Sequence, residues 1–213
     1  MHTRFVALSF FLLLTPFQTP GPATPAHAPA TPEQTSPCIL QPEDYAVYSA
    51  VLLNRGKPED PEERWDDKPD LIIAEGTAIP EETSAQNQMW GFRSNSKQQP
   101  TSEAVNSFNA RRTSTCLLSR QIDPTISYRL ISRSELEAIF KKGPRGWNEF
   151  YKRYPKASGY WDFSPVGYDS KGNEALVYLG HHCGGLCGTG HLVLLQKENG
   201  RWIVKNRVML WIS

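Results

Sequence analysis

The sequence predicts an α+β domain: a C-terminal antiparallel β-meander of three or more strands, with N-terminal and central helices packed on one face. Three observations carry this. Residues 174–182 (EALVYLGHH), 191–197 (HLVLLQK) and 201–212 (RWIVKNRVMLWI) are rich in strand formers. Asn199-Gly200, between the second and third runs, is the strongest short hairpin signal there is. Apolar residues at helical spacing occur only earlier in the chain.

The first residues stand apart from that domain. Residues 1–4 carry one positive charge and residues 5–14 are an uninterrupted run of small and apolar residues, the two parts of an export signal. A ten-residue apolar run rises about 15 Å as a helix, half of a bilayer core of roughly 30 Å, so it predicts a signal peptide over residues 1–30 and no membrane span. Ala26-His27-Ala28 and Ala28-Pro29-Ala30 are competing cleavage frames. Residues 31–37 continue a Pro/Thr-rich linker, and no cysteine closes a lipobox. A single domain over 38–213 is long enough for a sizeable core.

Residues 42–54 read as the first helix: Tyr45, Tyr48, Val51 and Leu52 recur at helical spacing, Pro42 suits the first turn, and Glu43 and Asp44 complement the positive helix end. Residues 59–67 hold six acids around Arg64 and Trp65, without the ordered Asp-x-Asp-x-Asp-Gly register of a calcium loop. A solvated acidic loop is the plainer reading. Leu71 to Ala74 suits a buried strand. Thr101 opens a helix running to Arg112, with Ala104, Val105 and Phe108 as its stripe. Residues 116–118 and 125–131 look extended, and Ser132 or Ser134 opens a helix closed by Gly143-Pro144. Trp147, Phe150, Tyr151 and Tyr154 then share one helical face, which reads as core. No periodicity claims Tyr160 and Trp161, so they are candidates for a ligand surface. Asn206-Arg207 interrupts the last strand, where a bulge or an exposed edge is expected.

Without residues 1–30 the chain loses only Arg4 from its 23 Lys+Arg and none of its 22 Asp+Glu. A net charge near zero gives no electrostatic case for nucleic acid.

The densest chemistry lies in residues 180–191, GHHCGGLCGTGH, which hold three of the five histidines and two of the four cysteines. If the meander pairs around a loop at 183–190, His182 comes opposite His191 on one face and His181 lies on the other. Four cysteines in an exported chain allow three pairings, of which Cys38–Cys116 with Cys183–Cys187 is preferred. The chain-entropy contribution is about 4.5 kcal/mol for the first, long loop and about 2 kcal/mol for the second, short one.

Competing readings of the same stretch are a metal site of His182, Cys183, Cys187 and His191, a thiol-redox C-x₃-C, and either a phosphate loop at Gly188-Thr189-Gly190 or a Cys-His nucleophile pair. None is completed elsewhere. The histidines lack zinc-ligand spacing, no helix follows the glycines to receive an anion, and no G-x-S-x-G or H-E-x-x-H occurs. No cofactor is implied.

Trp147, Phe150, Tyr154-Pro155, Gly159, Phe163-Ser164, Val166-Gly167-Tyr168, ALVYLG at 175–180, CGGLCG at 183–188, the NGRW turn and the terminal LWIS together resemble a group of exported bacterial proteins of uncharacterised function. The likeness covers about the C-terminal 40% of the chain. It implies export and a shared domain, and it carries no activity. The expected function is therefore a non-enzymatic binding or structural module of the cell envelope or exterior, with a small ligand or an envelope partner. Tyr160, Trp161, His182 and His191 are its candidate contacts. A small metal- or thiol-dependent enzyme is the alternative.

Overall fold

A computed structural model describes residues 38–55, 70–77, 92, 98–112, 114–141 and 143–213. The expected signal peptide, linker and acidic segment at 59–67 lie outside the described residues.

Four helices and seven strands follow one another among the described residues: α1 (Pro42–Leu53), β1 (Asp70–Ala74), α2 (Ser102–Arg111), β2 (Tyr128–Ile131), α3 (Arg133–Phe140), α4 (Gly146–Arg153), β3 (Ala157–Phe163), β4 (Gly167–Tyr168), β5 (Glu174–Gly184), β6 (Cys187–Glu198) and β7 (Arg201–Ile212). The helix starts follow local chemistry. Asp44, in the first turn of α1, accepts from the Gln41 N–H at 2.8 Å. Thr101 and Ser132 cap α2 and α3 by accepting from the N–H of Ala104 and Glu135.

The strands form one sheet in the order β2-β1-β3-β5-β6-β7, with β4 continuing the β3 side of β5. The expected meander is its antiparallel half. Between β6 and β7, Asn199 and Gly200 both have positive φ, 49° and 77°, the twisted two-residue turn that Asn-Gly favours. The other half of the sheet was not foreseen: β1 runs parallel to both β2 and β3.

Helices were expected on one face and occur on both, because the central strands bury both faces. Every residue from Ala175 to Leu179 is buried. Leu71, Ile73, Trp161, Phe163, Val177, Leu179 and Val193 pack with α1. The alternate residues Leu176, Tyr178, Leu192 and Leu194 pack with Val105 and Phe108 of α2, and Ile72 and Ala157 with Ile139 of α3 and Phe150 of α4.

Buried Asp44 joins three elements. It accepts from the Tyr168 hydroxyl at 2.9 Å and from the Arg111 guanidinium at 3.4 Å, while Arg111 also donates to the Val166 carbonyl at 2.6 Å. A bulge falls between Val204 and Asn206 on β7, beside the interruption seen in sequence, and buried Asn206 donates to the Gln98 carbonyl.

Candidate functional site

Residues 180–191 are not a glycine-rich loop. β5 runs through Gly184 and β6 starts at Cys187, leaving only Gly185-Leu186 as a turn. The expected loop at 183–190 is corrected because its glycines serve as strand residues. Gly180 and Gly190 pair directly across the two strands. A Cβ at Gly180 would collide with the Asp162 carboxylate, and one at Gly190 with the Trp211 indole. The two glycines leave room over the sheet for those side chains.

The shorter turn also changes the faces. His182 pairs with Gly188, His181 with Thr189 and Leu179 with His191, so His181 and His191 share a face and His182 looks the other way. The expected His182–His191 pairing is therefore overturned by a register that the real turn length sets. His191 is 3% exposed and Trp161 is 1% exposed. Both were candidate ligand contacts and both belong to the core. Trp161 stacks on His181 with centroids 4.3 Å apart, and the His181 Nε2 lies 3.0 Å from the Ser158 carbonyl.

Both preferred disulfides are present, Cys38–Cys116 and Cys183–Cys187. This closes the alternative metal set: its two thiols are bonded to each other, and His182 and His191 lie on opposite faces of the sheet. No group of three potential metal ligands occurs among the described residues. The same bond leaves neither Cys183 nor Cys187 as a thiolate nucleophile.

Tyr160 and His182 meet on the helix-α4 side. The Tyr160 ring lies between Trp147 (5.9 Å, 17°) and His182 (4.7 Å, 16°), and His182 in turn touches Trp211 (5.4 Å). The His182 Nε2 is 3.3 Å from the Asp162 Oδ2, and the Trp211 Nε1 donates to the Tyr178 hydroxyl at 3.1 Å. Tyr160 stacks with both Trp147 and His182, and His182 also meets Trp211, so these rings pack on one another as a cluster. It is the wall that supports the turn beside it. The Tyr151 hydroxyl completes the support by donating to the Cys183 carbonyl at 2.7 Å.

Comparison of the chain with protein-family models, curated proteins and solved structures finds no match.

What the wall supports is an apolar knob. Leu186 is 93% exposed at the tip of the turn, and Ile212, opposite Thr189 at the end of β7, is 70% exposed. The sequence contained a signal for Leu186 that composition hides: a single leucine occupies a turn between glycines and cysteines, where polar residues are usual.

The ring wall has a measurable alkaline consequence. Burial, and then the Asp162 carboxylate, pushes the Tyr160 hydroxyl up to about 12. Burial, and then its hydrogen bond to Glu135, does the same for Tyr154, also to about 12. An unfolded tyrosine ionises near pH ~10, so preference for the neutral form contributes fully below that pH and is lost as pH rises through about 12. Urea midpoints should fall across this window, and Tyr160→Phe should flatten the decline. An unchanged slope in the variant would show that Tyr160 is not held neutral by the fold.

Proposed function

We propose that this chain is an exported, non-enzymatic binding or structural module, stabilised by two disulfides, whose contact surface is the pole formed by the Gly185-Leu186 turn and Ile212. The carrying observation is Leu186, 93% exposed on a cross-linked turn. A leucine held in water forgoes the roughly 1.5–3 kcal/mol that full burial of such a side chain yields. A bridged turn has already lost most of its conformational freedom, so little more is lost when it docks. Tyr160 and His182 enter this reading as the support behind the turn, and Trp161 and His191 as core.

Export is supported by the apolar N-terminal segment and by the use of all four cysteines in bridges. The likeness to a group of exported bacterial proteins belongs to the same proposal. No helix among the described residues is long and apolar enough to cross a membrane.

The test places a photo-crosslinking residue at position 186 or, as a control, at exposed Lys171 in the producing cell. Position 186 should give discrete adducts that weaken when Cys183 and Cys187 are both replaced by alanine. Equal adduct patterns at 186 and 171 would reject the pole as the contact surface.

A further inference from the structure

The two disulfides differ in both access and reach. Cys116 is fully buried and Cys38 is half-buried against the core, and their bridge closes a sequence separation of 78. Cys187 is exposed and Cys183 half-buried, and their bridge closes a separation of only 4, around Gly184, Gly185 and Leu186. With no free cysteine in the chain, either bridge can exchange only with a thiol from outside.

We propose that Cys183–Cys187 is a reversible exchange site for dithiols, opened while the rest of the fold stays intact, and that its opening releases the Leu186 turn from its single shape. This rests on the reading of the Leu186 pole as the contact surface, and it adds how that contact is controlled.

The exposed sulfur sets the direction of the exchange. A thiolate of the dithiol attacks the Cys187 Sγ and forms a mixed disulfide there, while the bond between the two Sγ atoms breaks and its electron pair leaves on Cys183, which takes up a proton. The second thiolate of the dithiol then attacks the dithiol sulfur of the mixed disulfide. Cys187 leaves and is protonated in turn. The bridge has gained two electrons and two protons, and the dithiol has become a disulfide. The same steps in reverse, with a disulfide as the oxidant, close the turn again.

Opening stays local because the sheet beside the turn does not depend on the sulfurs. His182 pairs with Gly188 and His181 with Thr189 through the strand ladder itself. Cys183 is also fixed independently of its bond: the Tyr151 hydroxyl donates to its carbonyl at 2.7 Å, and its Cα lies so close to β3 that a Cβ on Gly159 would come within 2.9 Å of it. One end of the bridge therefore keeps its place when the bond is cut, and oxidation returns the same pair. The buried Cys116 offers a thiolate no comparable approach.

The enclosed residues have no such support. A Cβ at Gly185 would meet nothing within 4 Å, so no packing holds that backbone once the bridge is open. Glycine then regains more conformational freedom than any other residue would. Docking Leu186 has to fix this backbone again, an entropy loss that the bridged turn does not incur. Reduction thus weakens the contact without altering Leu186.

Titration of the oxidised, exported protein with dithiothreitol tests the proposal, with alkylation and peptide masses reporting the state of each cysteine. Cys183 and Cys187 should be labelled at a dithiothreitol concentration at least about tenfold below the one that labels Cys38 and Cys116. At that concentration the thermal unfolding transition should remain cooperative, and oxidised dithiothreitol should restore the Cys183–Cys187 pair. The same treatment of the producing cell should weaken the adducts from position 186 to the level of the variant with alanine at both 183 and 187, whose own adducts should not respond.

Labelling of both pairs together, labelling of Cys38 and Cys116 first, or loss of the unfolding transition when Cys183–Cys187 opens would each overturn the proposal. So would adducts at 186 that differ from those at 171 and are unchanged by the opening. If positions 186 and 171 give equal adducts while the bridge still opens selectively and reversibly, the exchange site is upheld and the contact surface is rejected.

Discussion

Replacing Cys38 and Cys116 together by alanine is expected to lower stability by about 4.5 kcal/mol, the chain-entropy value for so long a loop. The bridge spans a sequence separation of 78 and fastens the residue that leads into α1 to the segment that covers it. Cys116 is fully buried, and its N–H and carbonyl are both bonded to Thr77, which in turn follows β1. Losing the bridge therefore frees the start of the domain without disturbing the sheet register directly. The matching replacement of Cys183 and Cys187 removes a bridge that closes a separation of only 4 and should cost about 2 kcal/mol. Denaturant midpoints of the two double variants, measured against the oxidised wild type, decide the point. Equal losses would mean that local packing, and not loop length, determines what each bridge contributes.

Gly159→Ala is expected to be the most damaging single substitution in the sheet, costing about 3 kcal/mol or more. Gly159 has φ +127°, a conformation that side chains of L-residues rarely adopt. An added Cβ would also collide with the His182 carbonyl and lie 2.9 Å from the Cys183 Cα. These obstacles are backbone atoms, so no rotamer change relieves them. Strand β3 would have to leave β5 where Tyr160 stacks on His182, loosening the wall behind the Leu186 turn. Gly200→Ala is the comparison: φ there is +77°, but nothing lies within 4 Å of the added carbon. It should cost only about 1–2 kcal/mol. Urea denaturation of both variants tests the difference, and similar losses would show that the crowding at Gly159 can relax.

These two sites also show where the sequence was readable. Helix α1 could be found because Tyr45, Tyr48 and Leu52 repeat at the helical period, and the β6–β7 turn because Asn199-Gly200 fits one backbone shape. Both are local signals. The parallel pairing of Ile72 with Arg129 on one side and Tyr160 on the other is not local, and nothing in either partner's sequence announces it.

Gly188 and Gly190, which belong to β6, are illegible for a related reason. A missing side chain suggests a loop locally, but at Gly190 it makes room for Trp211, which arrives from β7. Assuming a loop at 183–190 then displaced the pairing register and exchanged the faces of the histidines. Trp161 shows no period in the sequence because β3 is short and its first three residues are all buried, so that burial alternates only after Gly159. Leu186 is illegible in the sequence because an apolar residue gives no sign, by itself, of whether its turn is buried or exposed.

The Cys38–Cys116 bridge has a mechanical consequence as well. If the folded domain is held at Cys38 and at Ser213 and drawn apart, the stretch inside the bridge, spanning a sequence separation of 78, cannot lengthen. Helices α1 and α2 and strand β1 lie inside it. Extension must come from residues 117–213, at roughly 3.3–3.6 Å for each residue released. Under tension the molecule would behave as a short tether made mostly of its own sheet, with nearly half the domain kept slack behind a covalent clasp.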